Sequence, residues 1–307
     1  MSQLNGKTLK DKKILIVGYG SIGRKHHQAA ENLGCKVSVL SRSQNDINFL
    51  SPNFINKKEA KTNIYDLVIL CNKTSEHLSD LFEFYNSGSV ILIEKPVYHL
   101  KLKKYEVDKL IKMKKVYVGY NLRYLKIIKF LRNYFLDKRI ESIYSQFWDN
   151  CLEWYKDRGL KESYILNKKK GGGAFFTNYH EIDYIKYILS TELESCFWSP
   201  FYSETKEFSA DTYSNVSGIM KNKTIYNSSL WLLSLNRIRV GSALFEKQYI
   251  NWDIDAGKVW KNNKLIFNKV SNYLESYQLQ ILDLLLNSNP ISSTLKSNIN
   301  DLNKIFK

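Results

Sequence analysis

In the first part of the chain, apolar residues come in short unbroken runs. Each ends in a glycine or polar turn and is followed by a stretch with helical spacing. Ile14 to Val17 runs into Gly18, and the segment Arg24 to Leu33 then reads as a helix with Gly34 as its stop. Lys36 to Leu40, Asp66 to Cys71, Ser89 to Ile93 and Val116 to Tyr120 read as further strands. Between them, Leu78, Leu81, Phe82 and Tyr85 recur at helical spacing, and Leu102 to Lys114 reads as another helix. Strand and helix in alternation predict a doubly wound parallel sheet.

From Tyr124 the pattern changes. Tyr124, Ile127, Ile128, Leu131, Tyr134 and Phe135 form one helical stripe, and a strand is expected near Ile143 to Phe147. After Gly171–Gly173 comes a helix. Then five strand-like runs follow without long helices between them: Ser214 to Met220, Thr224 to Leu233, Arg237 to Val240, Gln248 to Trp252 and Val259 to Phe267. Strands in series predict an antiparallel sheet. Two helical segments, Tyr273 to Leu286 and Ile299 to Phe306, close the chain. The expected architecture is α/β: a doubly wound parallel-sheet domain over residues 1–122, then an α+β domain over 123–307 with a mostly antiparallel sheet.

Composition changes this picture little. The chain of 307 residues is 44% apolar and 14% aromatic, as expected of a globular protein. No apolar run approaches the ~20 residues of a membrane span. Met1 to Lys13 lacks the apolar core of a signal peptide, so a cytoplasmic protein without a membrane partner is expected. Cys35, Cys71, Cys151 and Cys196 lack the spacing of a zinc site or a disulfide framework, and no metal is expected. The formal charge of +16 raises the question of nucleic acid. The lysines are spread along the chain, though, with no basic tail and no nucleic-acid motif, so no nucleic-acid partner is expected.

Gly18-Tyr19-Gly20-Ser21-Ile22-Gly23 carries the first chemistry. A Gly-x-Gly-x-x-Gly turn between strand and helix lets backbone approach a pyrophosphate, and the helix N-terminus offers N–H groups to it. About twenty residues on, where an acid would bind the ribose hydroxyls of NAD, stand Ser41 and Arg42. A serine and an arginine suit a 2′-phosphate, so NADP is expected, with NAD as the alternative. Gly18, Ser41, Asn72, Lys95 and Asn121 all fall at the carboxyl ends of predicted strands, where such sheets bind ligands.

Four stretches in this order, Gly18 to His26, Glu94-Lys95-Pro96, Gly119 to Tyr124, and Gly171-Gly172-Gly173 with His180-Glu181-Ile182-Asp183, resemble the glucose–fructose oxidoreductase and inositol dehydrogenase family, Gfo/Idh/MocA. The resemblance covers essentially the whole chain. The stretch Trp154, Ser163-Tyr164 to Tyr184 looks like a branch associated with bacterial surface-sugar or nonulosonic-acid pathways. The resemblance implies a dinucleotide-binding Rossmann domain over 1–122, then a substrate-binding and oligomerisation α+β domain over 123–307 with a large open, mostly antiparallel sheet. It also implies nicotinamide-dependent oxidation of a sugar hydroxyl, or the reverse reduction, by a homo-oligomer, dimer or tetramer. The expected cofactor contacts are Gly18 to Gly23, Ser41, Arg42, Asn72, Thr74, His77, Glu94 and Lys95.

Oxidising a secondary alcohol requires a group that takes the hydroxyl proton, and reduction requires the same group as an acid. Lys95 and His180 are the candidates. On a helix His180, Asp183, Tyr184 and Tyr187 share a face, which could line a cleft opposite Ile182, Ile185 and Leu189. Asp183 then orients His180 or meets the substrate. Asn121, Arg123 and Tyr164 are further candidates for substrate contact, with Arg123 suited to a carboxylate or phosphate, and a structural arginine or a surface tyrosine is the alternative. The chain departs from the family in three places. Thr177 and Phe176 stand where an acid is usual, Tyr179 stands where the branch often has serine, and Tyr124-Leu125-Lys126 replaces an aromatic followed by His-Pro. A cofactor-binding protein with weakened or lost turnover is therefore the competing expectation.

Overall fold

The computed structural model describes residues 9–41, 52–155, 164–204 and 208–306. In chain order its elements are β1 (Lys13–Val17), α1 (Ser21–Asn32), β2 (Lys36–Leu40), β3 (Asn53–Phe54), α2 (Lys57–Thr62), β4 (Leu67–Leu70), α3 (His77–Phe84), β5 (Val90–Ile93), α4 (Lys104–Leu110) and β6 (Val116–Val118). They continue with α5 (Lys126–Phe135), β7 (Ser142–Asn150), α6 (Ala174–Thr177), α7 (His180–Ile188), β8 (Leu193–Phe201), β9 (Tyr213–Met220), β10 (Ile225–Trp231) and β11 (Leu233–Phe245). Then come β12 (Gln248–Asp253), β13 (Lys258–Lys261), β14 (Lys264–Asn268), α8 (Tyr273–Leu286), β15 (Ser293–Thr294) and α9 (Leu295–Ile305).

The chain divides into two compact units. The first comprises Met1–Tyr98, Lys103–Tyr124 and Asn272–Asn298, and the second His99–Leu102, Leu125–Ser271 and Ile299–Lys307. The expected boundary at 122/123 thus falls two residues before the observed change of unit, while Asn272–Asn298 returns to the first unit. The return has a physical cause. Tyr277, Ile281 and Leu284 of α8 are buried in the same core as Ile14, Ile16, Ala29 and Ala30.

The sheet of the first unit has the order β15-β6-β5-β4-β1-β2-β3. All its pairings are parallel except β15 with β6. Ile14, Leu15, Ile16 and Leu67 to Leu70 are wholly buried, which is why these strands read as unbroken apolar runs. The chain runs from β1 to β2 on one side, while β4 pairs with β1 on the other. The carboxyl ends of β1 and β4 therefore flank the switch point at which such sheets open a ligand crevice.

The second unit is built on an eight-stranded sheet, β14-β13-β12-β11-β7-β10-β9-β8, with only β10 and β7 parallel. Its inner face carries Ile143, Phe147, Val216, Tyr226 and Leu230. There α7 packs on β7, and α6 packs on β9 and β10. Phe175 stacks on Trp198 with centroids 4.8 Å apart. The other face carries a row of apolar side chains set by register: Ile238 opposite Trp148, Trp148 opposite Trp231, Trp231 opposite Tyr213, and Tyr213 opposite Phe201. Phe201 and Phe197 are 60% and 67% exposed.

Three elements differ from expectation. The run Val259 to Phe267 is not one strand but the hairpin β13–β14, turned by Asn262 and Asn263, both at positive φ. Such two-residue turns suit the twist of the strands they join, and asparagine tolerates the conformation. Strand β8 was not expected. Pro200 near its end is tolerated because β8 is an edge strand. Helix α7 is buried almost all round, Glu181 to Lys186 included, so the polar stripe of Asp183 and Tyr184 does not face an open cleft.

Candidate active site

In the first unit the site begins where β1 ends. Gly18 has φ +94°, and its N–H donates to the Leu40 carbonyl at 2.9 Å. A Cβ there would lie 2.4 Å from Asn72 Oδ1, so the end of β4 closes directly over this glycine. Gly23 packs against the same turn, because a Cβ on it would lie 2.2 Å from the Gly18 carbonyl oxygen. At Gly20, which caps α1, a Cβ would meet nothing within 4 Å. No side chain caps α1, and its first turn holds no acid. An open glycine backbone leading into an uncapped helix N-terminus fits a dinucleotide pyrophosphate. Ser21 and Ile22 occupy the first turn, with Ser21 exposed and Ile22 half-buried, and Tyr19 is buried.

We expect Gly18→Ala to abolish cofactor binding. It combines a left-handed backbone with a clash against Asn72, and an equilibrium titration of nicotinamide fluorescence checks it.

Behind this turn lie buried polar supports. His26 Nε2 lies 2.9 Å from Glu94 Oε1, and the His26 ring meets Tyr277 edge-on at 4.8 Å. The Lys95 N–H donates to Glu94 Oε2 at 3.3 Å. Gly119 leaves room for this carboxylate, since a Cβ on it would come within 2.6 Å of Glu94 Oε1. His77 is spent on backbone: Nδ1 lies 2.8 Å from the Pro96 carbonyl and Nε2 2.9 Å from the Asn72 carbonyl. Burial pushes the His77 imidazole down, while the two carbonyls pull it back up. Asn72 Nδ2 donates to Asp80 at 2.7 Å, and Thr74 is buried at the start of the turn before α3. His77 therefore ties the loops after β4 and β5 together, Glu94 ties the end of β5 to α1, and Lys95 stands half-exposed at the end of β5.

Asn121 and Arg123 turn toward the returning segment. Asn121 Nδ2 donates to Ser276 at 2.9 Å, and Arg123 Nη1 donates to the Ile291 carbonyl at 2.8 Å. Tyr124 donates to Asp283 at 2.5 Å. Ser41 lies at the end of β2, and Arg42 lies outside the described residues.

In the second unit the glycine stretch is a tightly held turn. The Gly173 N–H donates to the Ile165 carbonyl at 2.6 Å, and the carbonyls of Tyr164 and Ile165 crowd Gly172. Gly173 has φ +118°, and a Cβ on it would meet Asp211 Oδ1 at 2.0 Å. Asp211 was not foreseen. Its carboxylate accepts from the Phe175 N–H at 2.9 Å and from the Ser214 hydroxyl at 2.6 Å, which fixes the start of α6. Burial pushes its carboxyl up and these hydrogen bonds pull it down. No local signal marks its role at the glycine turn, because Gly173 and Phe175 lie far away in the chain.

His180 is the first residue of α7 and is half-buried, with Asp183 buried one turn on. The helix is anchored by a buried pair: Arg239 Nε and Nη2 each lie 2.8 Å from Glu181 Oε1. Burial pushes the Glu181 carboxyl up, while the arginine charge pulls it back. At the other end of α7, Lys186 pairs with Asp301 and Glu192. Among the described residues no group of three or more His, Cys, Asp or Glu side chains could hold a metal, and no helix is long and apolar enough to cross a membrane.

The D-isomer specific 2-hydroxyacid dehydrogenase NAD-binding domain family matches residues 1–80. No curated protein matches the chain. Solved structures match over nearly all of it. An inositol dehydrogenase homolog from Azotobacter vinelandii complexed with NAD+ is 10% identical, with a TM-score of 0.76, covering 97% of this chain and 95% of that one. A UDP-N-acetylglucosamine 3-dehydrogenase from Acidithiobacillus ferrooxidans is 15% identical, with a TM-score of 0.73 and 94% of each chain covered. A putative myo-inositol dehydrogenase from Sinorhizobium meliloti 1021 is 16% identical, with a TM-score of 0.74, covering 95% and 94%. At these identities the likeness is one of fold: a Rossmann-type parallel sheet with a second, large and mostly antiparallel sheet, as in these dehydrogenases.

Proposed function

We propose that the chain is a nicotinamide-dependent oxidoreductase acting on a CH–OH group, or the matching ketone, of a sugar, nucleotide sugar or nonulosonic-acid-related compound in surface-glycan biosynthesis. The observation that carries this reading is the glycine turn at the β1–β4 switch point, with the open face of Gly20 leading into α1. The NAD-binding domain matched over residues 1–80 supports it, as do the sugar, inositol and nucleotide-sugar dehydrogenases that share the fold.

In this reading Gly18 to Gly23 hold the pyrophosphate, and Ser41 with Arg42 favours NADP over NAD. The nicotinamide, when bound, supplies or accepts the hydride. The protein supplies the proton handling. Lys95, held by the Glu94 and His77 supports, hydrogen-bonds the reacting oxygen. His180 accepts or returns the hydroxyl proton, with Asp183 as its orienter. Asn121, Arg123 and Tyr164 are retained as candidates for substrate contact. The row Ile238, Trp148, Trp231, Tyr213 and Phe201 on the outer sheet face supports a homo-oligomer in which a second copy covers it. A solution mass of one chain would overturn that part.

The deciding experiment titrates NADPH and NADH side by side and then screens sugars and nucleotide sugars for hydride transfer. Tighter NADPH binding with turnover is expected. Binding without turnover on any substrate class would favour a sensing protein, and binding of neither cofactor would end the reading.

A further inference from the structure

The two flanks of α1 serve different neighbours. On one flank His26 meets Glu94 beyond β5 and Tyr277 of α8. On the other, His27 and Arg24, one turn apart, face Tyr19. The Tyr19 and His27 rings meet edge-on at 5.5 Å, and the Arg24 guanidinium lies 5.6 Å from the Tyr19 ring centroid. Tyr19 in turn meets Phe54 edge-on at 5.5 Å. Phe54 belongs to β3 and pairs with Val39 of β2. Arg24 is therefore set, in the first turn of α1, on the flank that faces β2 and β3.

That flank is the adenosine side of the crevice. In sheets of this order the end of β2 receives the ribose, while the glycine turn receives the pyrophosphate. The backbone N–H groups of the turn contact only the phosphates common to NAD and NADP, so they cannot tell the two apart. An arginine on the ribose flank can. Its planar fork matches a phosphate monoester bidentately, and its contact with the Tyr19 ring reduces the side-chain freedom lost on binding. The first turn of α1 carries no acid that would repel such a phosphate.

We propose that Arg24, steadied by Tyr19, is a specificity-determining residue that recognises the 2′-phosphate of NADP. The proposal rests on the cofactor site proposed above and adds to it a cation on α1 itself.

The test titrates NADPH and NADH into the unaltered chain, Arg24→Ala and Arg24→Lys. Arg24→Ala is expected to weaken NADPH on the order of 10–100-fold, as for the loss of a charge-assisted contact, and to change NADH less than about two-fold. Near-normal NADH binding also shows that the variant is folded. Arg24→Lys is expected to recover only part of the loss, since lysine lacks the planar fork. Equal weakening of both cofactors would overturn the proposal, because Arg24 would then hold the shared diphosphate. Unchanged binding of both would overturn it as well, as would an unaltered chain that prefers NADH. An unaltered chain that binds neither cofactor overturns the cofactor site itself, an outcome visible before any variant is made.

Discussion

Arg239→Ala is expected to lower the stability of the second unit by about 3–5 kcal/mol, the usual cost of removing one partner from a buried ion pair. Glu181 is 0% exposed and Arg239 6%. The pair links α7 to β11, and the guanidinium also lies 4.3 Å from the Phe147 ring centroid. Burial already pushes the Glu181 carboxyl up, and Arg239 is the largest influence pulling it down. Without the arginine that carboxyl rises further. A carboxyl raised in the folded state contributes most below its unfolded value and loses that contribution as pH rises through the folded value. The loss of stability should therefore be smallest in mild acid and grow toward neutral pH. The apolar pair Glu181→Leu with Arg239→Met should recover most of it, because no uncompensated charge is then buried. Urea unfolding followed by tryptophan fluorescence reads this unit directly, since Trp148, Trp154, Trp198, Trp231, Trp252 and Trp260 all lie in it. Equal stability of the alanine variant at neutral pH would show that the pair does not anchor α7.

The parts of the molecule legible from sequence are those decided locally. An apolar run such as Leu67 to Leu70 is buried on both faces, so its strand could be read without knowing its neighbours. The glycine turn was legible because its geometry needs three glycines in fixed order. What could not be read depends on distant partners. Helix α8 was expected, but its return to the first unit depends on Tyr277 meeting His26 and on Ile281 entering that core. Helical spacing suggested that α7 could line a cleft, but it cannot show that Glu181 and Lys186 are buried with Arg239 and Asp301 as counter-charges. His77 was expected as a cofactor contact. Its engagement with the Pro96 carbonyl depends on a loop from the next strand. Asp211 gave no signal, since Phe175 and Gly173 lie in another part of the chain.

Lys95→Met is expected to lower kcat by about 10²–10⁴-fold, the usual range for a positioned proton-handling group, while leaving the NADPH dissociation constant nearly unchanged. Methionine keeps the length of the apolar stem and removes the charge. The backbone that presents residue 95 is held without the lysine head group. Its N–H meets Glu94, Glu94 meets His26, and the next carbonyl meets His77. Val97 and Tyr98, which follow, are buried. The variant should therefore fold and bind cofactor, so that the loss falls on the chemical step. A lysine that served only to hold the nicotinamide would weaken NADPH binding and leave kcat at saturation largely intact. Comparing the pH dependence of kcat in Lys95→Met and His180→Gln then assigns the proton, because the residue that carries it removes one limb of the profile when replaced. If both variants keep the full profile and rate, neither residue handles the proton and the chemistry lies elsewhere in the chain.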